Sequence, residues 1–167
     1  MLYDKDIREP LFDFLDDIYL TNRIIEEKQM GRSRADVVMV TPLAIYGIEI
    51  KSDADTYARL KRQVRDYDNF YDYNYVVVGT SHAYHIQEHV PDYWGIITVE
   101  QSEGVCDFYV KRKPSKNPKK SKDFVVNKIM EKVPEDILQI QFCEELMERD
   151  YNEIGEIIKE YKKQKKQ

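Results

Sequence analysis

Only two cysteines, Cys106 and Cys143, occur in 167 residues, and their spacing is not that of a metal-binding pair. A disulfide framework is thereby excluded, and a reducing compartment, the cytoplasm, is the expected setting. No apolar run approaches the length of a membrane span, so no membrane partner is expected. The opening "MLYDKDIREP" is too acidic for a signal peptide. Internal repeats are missing, and the only low-complexity stretches are lysine-rich. Glycine-rich phosphate cradles are missing too: Gly95 and Gly104 mark turns and belong to no such motif.

What is present suits a globular chain. Hydrophobic residues make up 42% and charged residues 34%, with a net charge of −5. One domain with a sizeable core is the natural outcome at this length. The net acidity excludes a histone-like binder, but the average hides a split. "VKRKPSKNPKKSK", residues 110–122, contains no acid, and the chain ends in "KKQKKQ". Such a run is ordinarily a solvated loop. The sharper reading is an exposed, mobile arm, kept from helix by Pro114 and Pro118, with Lys116, Lys119 and Lys120 on a nucleic-acid backbone.

Apolar periodicity divides the rest. Ile7, Leu11, Phe14, Leu15 and Ile18 predict a helix over about 5–19, in which Pro10 is awkward unless it marks the true first turn. "RIIEEKQM" reads as a strand, "GRSR" as a turn, and "ADVVMV" and "AIYGIEI" as two strands joined by "TPLA". "SDADT" offers N-cap chemistry to an amphipathic helix marked by Tyr57, Leu60, Val64, Tyr67 and Phe70. "NYVVVGT" is apolar enough for a strand buried on both faces. A short helix, "SHAYHIQEHV", precedes a turn at "PDYW". "WGIITVE" and "GVCDFYV" form a hairpin across "QSEG". Helical patterns follow over 121–132, 134–149 and 151–167. The whole predicts an α/β fold: a mixed sheet flanked by helices, with C-terminal helices.

The informative stretch is "RADVVMVTPLAIYGIEIKSD", residues 34–53, where apolar strands carry Asp36, Glu49 and Lys51. A tip at Pro42 and Leu43 sets Thr41 against Ala44 and, counting outward, Asp36 against Glu49. Pro42 suits a primed two-residue turn poorly, so a longer loop with a shift of one or two residues stays open. Glu49 and Lys51, two apart, share one face of the strand, while Ile48 and Ile50 take the other. Directly opposed acids repel. Two acids and one base are an ordinary ion-pair cluster at a sheet rim, or unrelated strand-end residues, or the ligands of a divalent cation that supplies the missing charge.

Asp36 followed by Glu49-Ile50-Lys51 on the next strand resembles the bipartite motif of the PD-(D/E)XK nuclease superfamily. "QVRDY", with Gln63 and Tyr67 one turn apart, resembles the QxxxY helix of its RecB-like members. The stretch from "EIKSDADTYARLKRQVRDYDNFYDYNYVVVG" to "VPDYWG" is similar to a small, poorly characterised prokaryotic family within it. The resemblance covers residues 5–100 well and the C-terminal part loosely. It implies a restriction-endonuclease-like core over 1–110, a basic loop over 111–122 and a helical extension over 123–167. Ala35 stands where the superfamily often has proline. An additional acid falls on Glu9 by position on the first helix, or on Glu27 by the smaller family's pattern.

The resemblance implies a nuclease, a phosphodiester hydrolase acting on nucleic acid, DNA before RNA. It places Mg²⁺ or Mn²⁺ on Asp36, Glu49 and the main-chain carbonyl of Ile50, with Glu27, or else Glu9, as an auxiliary acid. Lys51 orients the attacking water or stabilises developing charge. Gln63 fixes that lysine or a phosphate oxygen. Tyr67 is core or contact, and Arg59 and Arg62 are solvated surface first and phosphate contacts second. The rival reading is a catalytically silent nuclease-like module that binds DNA or a partner protein. Oligomeric state is open, with a homodimer one option. "HIQEH", residues 85–89, matches an inverted zinc-protease pattern, but a short connector offers no long helix and no third ligand. Trp94 is expected to seat its turn on the core. "YDNFYDYNY" is expected to be a half-buried helix edge rather than a base-stacking surface.

Overall fold

Ile7, Leu11 and Leu15 recur every four residues and are fully buried, so the first helix, α1 (Asp4–Ile18), lays one apolar stripe on a sheet. Pro10 sits inside α1 rather than in its first turn. Proline removes the N–H that would bond the carbonyl of Asp6; the Cys106 thiol lies 3.6 Å from that oxygen and donates to it. This computed structural model describes residues 1–30 and 32–120, together with Cys143 and Met147. The helical patterns expected beyond residue 120 lie outside the described residues.

Six strands follow one another across a single mixed sheet in sequence order. They are β1 (Arg23–Met30), β2 (Ser33–Val40), β3 (Ile45–Lys51), β4 (Tyr73–Gly79), β5 (Gly95–Ser102) and β6 (Val105–Arg112). β1, β2 and β3 are joined as antiparallel hairpins, β3, β4 and β5 run parallel, and β6 turns back antiparallel. The second helix, α2 (Leu60–Phe70), makes the crossover between β3 and β4. Parallel strands need such a crossover, which covers one sheet face while α1 covers the other. Leu60, Tyr67, Tyr71, Val76, Val78, Ile86 and Trp94 pack on the α2 side. Ile7, Leu11, Val37, Ile48, Ile50 and Val77 pack on the α1 side. The α/β reading, the six strands and both hairpins stand as expected.

Three local expectations are corrected. α2 begins at Leu60, not near Tyr57, and Arg59 gives it no side-chain cap. The cap chemistry of "SDADT" closes a turn instead: Asp55 Oδ2 accepts from the Ser52 N–H at 2.8 Å and its hydroxyl at 2.9 Å. The segment 81–90 forms turns with a single 3₁₀ turn, Ile86–Glu88, in place of a helix. Only Ile86 and Val90 of that stretch are buried, which is too little to fasten a longer helix.

The basic segment is exposed at Lys116 and Lys119, as expected, but it is docked on the sheet domain rather than a free arm. Asn117 is buried, its amide donates to the carbonyls of Asp68 and Tyr71, and its N–H donates to the carbonyl of Asp72. The Ser115 N–H donates to the Tyr93 carbonyl, and Lys120 Nζ lies 2.8 Å from Asp72 Oδ1. Proline excludes helix there, but a backbone with free donors can equally dock on a neighbour. Trp94 seats its turn as expected, donating from Nε1 to the buried Asp68 at 2.8 Å.

Gly47 is where β3 meets the ring layer beneath α2. A β-carbon there would lie 2.4 Å from Tyr71 Cδ2 and 2.6 Å from both Tyr67 Cδ1 and Asn74 Oδ1. Gly47→Ala should therefore cost about 3 kcal/mol or more, at the upper end of overpacking. A denaturant midpoint equal to that of the wild type would show that the rings yield freely.

Candidate active site

The strand order makes a fork. Residues of β2 and β3 pair from Val40–Ile45 as far as Val37–Ile48 and no further, although β3 continues beside β4 to Lys51. The register is that of the two-residue tip: Thr41 donates to the Ala44 carbonyl at 2.9 Å, and its hydroxyl accepts the Ala44 N–H. The threonine closes the turn that Pro42 could not close in primed form. Continued by one residue, the register sets Asp36 opposite Glu49. Where a further ladder bond would come, Asp36 Oδ2 itself accepts the Ile50 N–H at 2.8 Å. The carboxylate thus takes the place of a main-chain acceptor and holds the fork at a fixed opening.

Glu49 and Lys51 are 3% exposed although both are ionisable. α2 supplies their partners. Two residues along a strand advance about 6.6 Å and four along a helix about 6 Å, so Gln63 and Tyr67 can face Lys51 and Glu49 in step. Tyr67 Oη donates to Glu49 Oε2 at 2.7 Å, with the Ile48 carbonyl at 3.0 Å, and accepts the Asp36 N–H at 3.2 Å. Gln63 Oε1 faces Lys51 Nζ at a long 3.4 Å, and Lys51 Nζ lies 3.9 Å from Glu49 Oε1. Tyr67 is therefore core and contact at once.

Burial raises the Asp36 carboxyl to about 6, helped by the charge of Asp4 and opposed by the Ile50 N–H. Burial first, and then the charge of Asp36, push Glu49 well above the usual carboxylate range. Both carboxyls thus keep their protons to higher pH than free acids do. Burial also pushes up the Tyr67 phenol, so it stays a neutral donor. The pair carries less negative charge than two free acids, which is how it survives inside a sheet.

A third acid stands in line. β1 pairs Glu26 with Val37 and Lys28 with Ala35, so Glu27 lies across from Asp36. Glu27 has φ of 55°, a left-handed conformation that only strain or a special role sustains in a non-glycine residue. Its carboxylate is held by Arg34 at 2.8 Å and by Arg8 at 2.5 Å. Arg8, on α1, also reaches Asp4 and lies 3.5 Å from Asp36 Oδ1. Burial alone would lower the Arg8 pKa, but Asp4, Glu27 and Asp36 more than reverse it. Glu9 is exposed.

Asp36, Glu49, Ile50, Lys51 and Gln63 line one cleft of about 520 Å³, together with Tyr3, Asp4 and Lys5 at the start of α1 and Ser52, Asp55 and Arg59 from the turn before α2. The sequence reading missed Asp4 and Arg8. Their i,i+4 spacing was visible, but not which way the helix would present it. Lys116 lines a different hollow with Pro42 and Leu43, at the tip of the β2–β3 hairpin. Five residues of strand, about 17 Å, separate that tip from Asp36. His85 lies 3.6 Å from Glu88, and His89 stacks on Tyr57 with ring centroids 3.9 Å apart.

Among the described residues, no group of three or more His, Cys, Asp or Glu side chains gathers as a metal cluster. Mg²⁺ asks for less, commonly one or two carboxylates with water completing its shell. Asp36 and Glu49, both lining the cleft, fit that requirement.

Among solved structures, the chain is similar to SfsA of Pyrococcus furiosus in complex with Ca²⁺, at 14% identity and a TM-score of 0.46. The alignment covers 67% of this chain and 65% of that one, a little under two thirds of its length. No curated protein matches. Residues 1–167, the whole chain, match the family described as Bacteriophage P4 protein cII. The chain belongs to the bacteriophage P4 protein cII family.

Proposed function

We propose that this chain is a metal-dependent nuclease of PD-(D/E)XK type, hydrolysing phosphodiester bonds with DNA as the preferred substrate. The observation that carries the reading is the fork: Asp36 and Glu49 meet across two parted strands with Lys51 on the same face. A chance motif need not converge in space, nor be met by Gln63 and Tyr67 from the following helix.

Bound Mg²⁺ or Mn²⁺ would supply Lewis acidity at the phosphate and a water of lowered pKa. Asp36, Glu49 and the Ile50 carbonyl would hold it. Lys51 supplies a compact cation within reach of the water and the developing charge. Gln63 restrains the lysine, and Tyr67 orients Glu49 by donating to Oε2. Both acids hold their protons to higher pH than usual, and a metal would need them ionised, so metal affinity should rise with pH.

Calorimetric titration with Mn²⁺ tests the reading. The wild type should bind one ion, and Glu49→Ala and Asp36→Ala should lose both binding and cleavage. A silent module, binding DNA or a protein partner, would show no metal-dependent difference between wild type and Glu49→Ala.

A further inference from the structure

Acids outnumber lysines and arginines in this chain, 31 to 26, so a cation without an acidic neighbour stands out. Arg8 and Arg34 are held by carboxylates, Lys120 by Asp72, and Arg112 by the carbonyls of Pro91 and Trp94. Arg32, Arg59, Arg62 and Arg65 are exposed, and among the described residues their guanidinium groups make no hydrogen bond or ion pair. The acids nearest to them in sequence are occupied. Asp66 accepts from the Ser33 hydroxyl, and Asp55 accepts from Ser52.

Their placement forms a line. Arg59 lines the acid cleft. Arg62 and Arg65 follow at intervals of three, so the three make one ridge along α2 with axial steps of about 4.5 Å. The Asp66–Ser33 bond fastens the β1–β2 turn to α2, which brings Arg32 beside the far end of the ridge. We infer that this ridge is a track for a nucleic-acid phosphodiester backbone, running from the cleft over α2 to the β1–β2 turn. Unpaired guanidinium groups offer planar forks that match phosphate oxygens. In an acidic molecule they are also the local positive field that steers a polyanion to the cleft. The inference rests on reading the cleft as the place where a phosphodiester is held. It assigns the backbone contacts to α2 rather than to Lys116 and Lys119.

The test is anisotropy of labelled oligonucleotides in EDTA over a salt series, with single-stranded DNA, duplex DNA and single-stranded RNA as separate arms. Each lost phosphate contact lowers the log–log salt slope by about 0.7 on single strands and about 0.9 on duplex. Arg62→Gln/Arg65→Gln should therefore lose about 1.4 or about 1.8, according to the arm that binds. Arg62→Glu/Arg65→Glu should weaken binding further, with circular dichroism unchanged because both residues are exposed. Lys116→Gln/Lys119→Gln should keep the wild-type slope. Absence of binding by the wild type, an unchanged slope in the arginine variants, or an equal loss in the lysine variant overturns the track. A separate Mg²⁺ cleavage assay tells the two readings apart. Binding through Arg62 and Arg65 without cleavage supports the track and removes the nuclease. Cleavage with an unchanged arginine slope removes the track alone.

Discussion

Lys51→Ala should lower turnover by about 10²–10⁴-fold while leaving Mn²⁺ affinity within a few-fold of the wild type. The ammonium is 3.9 Å from Glu49 Oε1 and 3.4 Å from Gln63 Oε1, and it is 3% exposed, so no solvent cation can replace it in place. It is not a ligand, so the two carboxylates and the Ile50 carbonyl stay available. Single-turnover cleavage at saturating Mn²⁺, beside calorimetry, separates the two effects. A Lys51→Ala variant that cuts at the wild-type rate has no place in this mechanism.

In metal-free protein, Asp36→Asn should raise stability at pH 8 by about 2–3 kcal/mol, or about 4–10 °C in Tm. The sign follows from proton uptake. Asp36 binds its proton with a pKa of about 6 in the fold, against 3.8 as a free carboxyl, and Glu49 is shifted in the same direction. The folded state thus holds more protons than the unfolded chain between those values. Stability falls as pH rises through that window and stays low above it. Asparagine keeps an acceptor for the Ile50 N–H and removes the charge, so the gain should shrink toward zero near pH 4. Saturating Mn²⁺ should stabilise the wild type by linkage and leave Asp36→Asn where it was. A gain of the same size at pH 4 and pH 8 would falsify the assignment of the shift to this carboxyl pair.

Much of the site was legible because its spacing is local. The strands around "TPLA" could be counted outward from Pro42 and Leu43, and the count survives because Thr41 replaces the missing primed turn with its own hydroxyl. Gln63 and Tyr67 were readable for a similar reason, since one helical turn matches a two-residue strand step. What failed depends on long-range partners. "SDADT" looked like a helix cap, but nothing in the sequence says that Asp55 will turn back to Ser52. "KRKPSKNPKKSK" looked free because its charge invites water. Its docking runs through Asn117 and main-chain groups, which composition does not show. The lysines drew the eye as a run, whereas Arg59, Arg62 and Arg65 are diluted by α2's own acids and emerge only once Asp66 is seen to be occupied.

The left-handed turn of the chain at Glu27 has a consequence for the regularity of β1. β1 is an outer strand, and an uninterrupted outer strand presents evenly spaced donors and acceptors on which another molecule can build. At φ of 55° the peptide groups flanking Glu27 leave that even spacing in the middle of the strand. Its carboxylate is meanwhile tied to Arg8 and Arg34, so the kink cannot relax without giving up two ion pairs. Among the described residues β1 ends the sheet, and its row of peptide groups is cut into two short runs, Arg23–Glu26 and Lys28–Met30. Replacing Glu27 by a β-branched residue would remove both ion pairs and disfavour the left-handed turn, joining the two runs into one regular strand.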